Sequence, residues 1–200
     1  MKRLAILLSG RGSNFEAIAR NIADGKLDAR IAVVISNRPQ APGLQTAERL
    51  GLKAIAVDSK GVEREVFDRQ IAAILDEHEV DLVVLAGYMR LLSSAFVKHY
   101  PLKIVNIHPS LLPAFPGLDA QHQAFQHGVK IAGCSVHFVD EQLDSGPIIM
   151  QAAVAVEDGD TPETLSARIL AEEHRIYSEG IALILFGKWR VEGRRVLLTP

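Results

Sequence analysis

Cysteine is almost missing: Cys134 is the only one in 200 residues. A lone thiol closes no internal disulfide and builds no cysteine-rich zinc site, so the chain reads as intracellular, and a cytoplasmic location is expected. Long apolar runs are missing too. Met1-Lys2-Arg3-Leu4-Ala5-Ile6-Leu7-Leu8 starts like a secretory leader, but its apolar run ends at Ser9-Gly10-Arg11-Gly12. That is too short for a signal core, and no stretch nears the ~18 apolar residues of a membrane span. Neither charge sign dominates. Lys and Arg number 22 against 24 Asp and Glu, a net charge of -2, which argues against a dedicated nucleic-acid binder while leaving room for a local anion site. Repeats, low-complexity tracts and linkers are absent, so a single domain over residues 1–200 is expected.

What remains is an ordinary globular mixture, 48% apolar and 23% charged. At this length it buries about two-thirds of its unfolded surface without staples. In the first half, strand-like runs alternate with helical patterns. Strands are predicted at residues 3–8, 31–36, 53–57, 81–86 and 103–108, and helices at 14–23, 44–50, 63–78 and 93–99. This rhythm predicts an α/β fold: three layers, Rossmann-like, a mostly parallel central sheet with helices on both faces. Ligands in such sheets bind beyond the carboxyl ends of the strands. The second half is less regular. Prolines at 109, 113 and 116 make a loop, a short helix is predicted at 123–128, and strands at 133–139 and 148–154 flank an acidic loop. A long helix at 161–185 opens with Ser, Thr and acidic residues, and the tail 191–198 reads as a small hairpin or edge.

Three segments carry chemistry. Ser9-Gly10-Arg11-Gly12-Ser13-Asn14 follows the first strand and opens a helix, a setting whose N–H groups and dipole favour an anion. Ser13 and Asn14 are expected to add donors and an N-cap. The dinucleotide fingerprint is incomplete, since Phe15 replaces its third glycine and Ser36-Asn37-Arg38 its acid; no Gly-Lys-Ser/Thr follows either. A single phosphate monoester suits the loop, and a capped turn with no ligand stays open. Asn106-Ile107-His108 puts two polar side chains on one face of a strand, an amide that can donate to an oxyanion and an imidazole that can move a proton. A satisfied core histidine is the other reading. In Asp140-Glu141-Gln142-Leu143-Asp144-Ser145-Gly146-Pro147, Asp144 either orients a histidine or bonds its own turn. Gly-x-Ser-x-Gly and His-Glu-x-x-His are both missing, so attack by a substrate amine on a carbonyl, with Asn and His stabilising the tetrahedral intermediate, suits the set better than a protein nucleophile or a metal.

Taken in order, Ser9-Gly10-Arg11-Gly12-Ser13-Asn14, Leu85-Ala86-Gly87-Tyr88-Met89-Arg90, Asn106-Ile107-His108-Pro109-Ser110-Leu111-Leu112-Pro113, Phe115-Pro116-Gly117 and Leu143-Asp144-Ser145-Gly146-Pro147-Ile148 closely resemble the phosphoribosylglycinamide formyltransferase family of folate-dependent formyltransferases. The resemblance covers nearly the whole chain. It implies transfer of the formyl group of 10-formyltetrahydrofolate to the amine of glycinamide ribonucleotide in purine biosynthesis, with no metal. It implies a nucleotide-binding half at 1–100 and a folate-binding, catalytic half at 101–200, in a monomer or homodimer. Asn106, His108 and Asp144 carry over as the catalytic set; Gly12, Ser13 and Asn14 as the phosphate cradle; and Glu173 as a ribose contact. Met89, Arg90, Leu91 and Leu92 carry over as a folate wall, Arg64 as a cation near the folate's glutamate, and Val139 and Asp140 as part of a loop over the pterin. Arg64 also fits a solvated helix face. Gln121 stands where some relatives have a histidine, His122 is expected at the surface, and Leu170 stands where relatives can carry a polar residue.

Two rivals belong to the comparison. Formyltetrahydrofolate hydrolase shares the Asn-His-Asp chemistry but carries an N-terminal regulatory domain, for which a first strand at residue 3 is expected to leave no room. Methionyl-tRNA formyltransferase needs an RNA-binding C-terminal domain and a more basic charge. A non-catalytic nucleotide-binding module is the reading from another class, and the presence of Asn106, His108 and Asp144 argues against it.

Overall fold

A strand covered on both faces has no polar side to present, and β1 (Lys2–Leu8) is of this kind: Leu4, Ala5, Ile6, Leu7 and Leu8 are all fully buried. The structure, a computed structural model, describes residues 1–199. The chain forms two compact units, Met1–Val105 and a second from Asn106 onward. In the first unit β1 lies between β2 (Ala29–Ser36) and β4 (Leu82–Leu85), parallel to both, and β3 (Ala54–Ala56) adds in parallel to β2. Between them run α1 (Ser13–Ala23), α2 (Pro42–Arg49), α3 (Arg64–Glu77) and α4 (Ser94–His99).

The chain steps outward from β1 to β2 and β3, then returns to β4 on the other side of β1. The winding reverses there, so the loops after β1 and β4 open a crevice at the strand ends. Hydrogen bonds tie these loops together. Ser9 N donates to Gly87 O at 3.0 Å, and Met89 N donates to Ser9 Oγ at 2.7 Å. The Ser9 hydroxyl donates to Asn37 Oδ1, and Asn37 Nδ2 donates to Ser59 Oγ at 3.2 Å. The ends of β1, β2 and β3 and the loop after β4 thus share one polar chain.

β5 (Ile104–His108) leads from the first unit into the second. There β6 (Ile131–Phe138) and β7 (Ile148–Ala155) pair antiparallel, with a register shift between Val136 and His137. α6 (Pro162–Phe186) packs on both, burying Leu165, Ile169, Ile176, Tyr177 and Ile181. A capping box of Thr161 and Thr164 starts that helix. β9 (Arg195–Leu198) lies parallel to β7 and antiparallel to β8 (Trp189–Glu192), so the tail is a hairpin. α5 (Ala120–Gln126) completes the unit. Among the described residues no helix is long and apolar enough to cross a membrane.

The α/β class holds, with antiparallel pairs at β6–β7 and β8–β9. The boundaries differ in particular places. β3 is three residues long, shorter than its apolar run. α5 begins at Ala120, ahead of the expected position 123, because its cap is Asp119 with φ 60, a left-handed backbone without a side-chain cap bond. Nothing in a sequence marks such a start, since capping signals describe extended caps.

Candidate active site

In the first unit the glycine-rich loop delivers the chain to α1. The cap of α1 is Gly12, with φ 78 and no side-chain bond, and Ser13 is already helical. The N-cap expected of Ser13 and Asn14 is therefore corrected: a left-handed glycine closes the turn. A Cβ at Gly12 would lie 3.1 Å from Leu8, which is fully buried, so geometry and crowding both demand glycine. The result is a helix start whose first N–H groups are not covered by a capping side chain, the positive end of the helix dipole. Asn14 is buried beside it.

The segment after β4 presents Met89 and Leu91 outward, 56% and 52% exposed. Arg90 turns the other way. Its guanidinium donates to Val62 O at 2.9 Å and Ser59 O at 3.4 Å and lies 4.7 Å from the centre of the Phe67 ring. Leu92 is half-buried, and Arg64, the first residue of α3, is exposed.

The second unit brings Asn106, His108 and Asp144 together. Asn106 and His108 share one face of β5, as alternation requires. His108 Nε2 donates to Phe115 O at 2.8 Å, and its Nδ1 lies 3.4 Å from Asp144 Oδ2. A carbonyl and a carboxylate can only accept, so each ring nitrogen faces an acceptor. The Asp144 side chain is 8% exposed and also accepts the Gly117 N–H at 2.8 Å. Its backbone is left-handed, φ 48, in a loop pressed onto the end of β6. A Cβ at Gly146 would overlap the Phe138 carbonyl oxygen. Gly146→Ala is expected to push this loop outward and cost about 3 kcal/mol of stability together with activity; thermal melts and turnover of the variant check it.

The proline-rich loop after β5 is held from β6 and β7. Ser135 Oγ donates to Ser110 O at 2.7 Å and accepts the Leu112 N–H at 3.0 Å, while Gln151 Nε2 donates to Leu112 O at 3.0 Å. Rigid support of this kind fixes where Phe115 O meets His108.

His137 was not singled out by sequence reasoning, and it completes the cluster. Its Nδ1 lies 2.8 Å from Phe138 O, its Nε2 3.2 Å from Asn106 Nδ2 and 3.8 Å from Asp144 Oδ1. Burial, the largest influence, holds its pKa below the usual 6.5 against the opposing pull of the Phe138 carbonyl and Asp144. The ring is thus neutral, with Nδ1–H donating to Phe138 O and Nε2 accepting from Asn106. That sets the orientation of the Asn106 amide and leaves its second N–H free to donate elsewhere. The only signal in the sequence is an imidazole on a strand whose other polar side chain is Ser135.

A pH dependence follows. Below 6.5 the unfolded chain binds a proton that native His137 refuses. Stability is expected to decline as the pH drops through 6.5, with a slope of at most about 1.4 kcal/mol per unit, until the native ring titrates. Urea unfolding of the native chain and His137→Gln between about pH 5 and 7 isolates this slope.

Glu173 is 5% exposed, on the inner face of α6, and Leu170 one turn earlier is half-buried. Val139 and Asp140 are half-buried at the mouth of the acidic loop. Gln121 is half-buried, and His122 lies exposed, its ring 3.2 Å from Gln126. Burial, with the charge of Glu173, pushes the Cys134 thiol up to about 12, so it is no nucleophile. Among the described residues no group of three or more His, Cys, Asp or Glu is placed to hold a metal ion.

The sequence profile of the formyl transferase family matches residues 2–181. Phosphoribosylglycinamide formyltransferase of Bacillus subtilis (strain 168) is 46% identical over 186 residues, covering 92% of this chain and 95% of that protein. Its counterpart from Escherichia coli (strain K12) is 41% identical over 192 residues, covering 96% and 88%. The crystal structure of glycinamide ribonucleotide transformylase 1 from Symbiobacterium toebii superposes with a TM-score of 0.96 at 52% identity, covering 100% of this chain and 95% of that one.

Proposed function

We propose how this chain works from one premise: it belongs to the formyltransferase family and, within it, to the phosphoribosylglycinamide formyltransferases. It transfers the formyl group of 10-formyltetrahydrofolate to the amine of glycinamide ribonucleotide, a step of purine biosynthesis. When bound, the folate supplies an activated one-carbon group. The residues present fit such a donor: Met89 and Leu91 offer exposed apolar surface to a flat ring, and Asn106 holds one N–H in reserve.

Asn106 donates that N–H to the formyl oxygen as negative charge grows there during amine attack. Such a donor, preorganised before the reaction, lowers a barrier by ~3–4 kcal/mol. His108, held between Phe115 O and Asp144, stabilises the same oxygen when it is cationic. Asp144 holds His108 and takes up the proton that the amine sheds, directly or through water. The proton passes to the folate nitrogen as its bond to the formyl carbon breaks, so the exchange balances without an outside reagent. The observation that carries this reading is the buried contact of His108 with Asp144 beside an Asn106 amide oriented by His137.

The binding roles are assigned unit by unit. In the first, the N–H groups of Gly12, Ser13 and Asn14 take the ribonucleotide phosphate. Residues 89–92 form the folate wall with their backbone, and Arg64 meets the folate's glutamate. In the second, Glu173 takes the ribose hydroxyls, and Val139 and Asp140 meet the pterin. We assign the two units to one catalytic domain, working in the cytoplasm on small molecules alone, as a monomer or homodimer.

A formyl-transfer assay tests the proposal. Purified protein meets 10-formyltetrahydrofolate with and without glycinamide ribonucleotide. Deformylation that requires the ribonucleotide supports it. Deformylation without it makes the chain a hydrolase, and none in either case makes it a binding module.

A further inference from the structure

Asp68 sits on α3 with 2% of its surface exposed, an uncommon depth for a carboxylate. Its Oδ2 accepts the backbone N–H of Ser93 at 2.6 Å. Ser93 in turn caps α4, its hydroxyl accepting from Phe96 N at 3.2 Å. Oδ1 of Asp68 has no hydrogen-bond partner, and neither does the buried Tyr88 hydroxyl. Burial, reinforced by the charge of Asp68, raises the Tyr88 pKa above its usual 10.0, so that hydroxyl remains a donor facing a carboxylate's field.

These groups bracket one stretch of chain. At residue 90 the guanidinium is clamped over Phe67, the neighbour of Asp68 on α3. At residue 89 the backbone N–H is held by Ser9. At residue 93 the backbone N–H is held by Asp68. Between the clamps only Met89 and Leu91 project outward. A charge-assisted bond in buried surroundings is about twice as strong as a neutral one, and its loss strands a buried N–H.

We propose that Asp68 is a positioning residue for folate binding: through Ser93 it fixes the far end of segment 89–92 and so sets the wall on which the folate lies. The inference rests on the assignment of residues 89–92 as that wall. Asp68 touches no substrate and acts through the backbone of the segment. Its loss therefore weakens one substrate and leaves the other, and the chemistry, alone.

Steady-state kinetics with each substrate varied in turn tests it, on Asp68→Ala, Asp68→Asn and Leu91→Ala, with thermal melts alongside. Asp68→Ala is expected to raise KM for 10-formyltetrahydrofolate about 10-fold, with kcat and KM for glycinamide ribonucleotide within about twofold of native. Asp68→Asn, whose amide oxygen still accepts from Ser93 N, is expected to recover to within about threefold. Should the alanine variant fail to fold, Asp68→Glu, which keeps the charge and displaces the oxygen, is expected to show the same folate-selective rise. An unchanged folate KM, equal rises for both substrates, or an asparagine variant as poor as alanine overturns the inference. Leu91→Ala, at the exposed surface of the segment, separates the two layers. If it raises the folate KM while Asp68→Ala does not, the positioning role fails alone; if neither does, the wall assignment fails.

Discussion

Asn106→Ala is expected to lower kcat/KM by about 10²–10³-fold while the protein stays folded, with Tm within about 3 °C of native. The size follows from where the amide acts. One of its N–H groups is spent on His137 Nε2 at 3.2 Å, and in the proposed mechanism the other remains for charge that appears only during reaction. Removing it therefore costs the transition state, and KM for either substrate is expected to move less than about threefold. Folding suffers little, because what is lost is one neutral bond at a half-buried position. Near-native turnover in a folded Asn106→Ala would defeat the oxyanion role outright. Asn106→Asp sharpens the test, for it keeps the shape, loses both donors and adds a negative charge to a cluster already holding Asp144. Its loss is expected to be the larger.

Asp144→Asn is expected to cost about 10³-fold in kcat, by analogy with the loss when a carboxylate that orients a catalytic imidazole becomes an amide. The variant separates the two duties of this side chain. The amide oxygen can still accept the Gly117 N–H, so the turn survives. What disappears is the negative charge 3.4 Å from His108 Nδ1, and with it the group that orients and charges that ring in the proposed mechanism. A turnover within about threefold of native would reduce Asp144 to a loop carboxylate bonded to its own turn.

Much of the scaffold is legible because burial on both faces leaves an unmistakable trace. The runs in β1, β2 and β4 are continuously apolar for that reason, and their alternation with helices implies parallel pairing. The glycine-rich loop is legible through Gly10 and Gly12, although its cap is a left-handed glycine rather than Ser13 or Asn14. Arg90 shows where sequence reading stops. Its place in the 89–92 segment suggests part of a folate wall and leaves its side chain unplaced; the guanidinium is used beneath the segment on Val62, Ser59 and Phe67. A cation's identity in a sequence says nothing about which way it points.

His137 makes the same point about the chemistry. Within Ile131–Phe138 it is one polar residue on a buried strand, and no motif marks it. The sequence alone determined the α/β class, the order of the elements, and the alternation that puts Asn106 and His108 on one face. Those follow from local periodicity, which the chain carries in its own spacing. Only the tertiary structure decided that His137 orients Asn106, that Asp144 meets His108, and that Asp68 holds Ser93. Each of these joins residues 25 to 36 positions apart. Contacts at such separations are set by strand register, loop strain and burial acting together, and no local pattern encodes them.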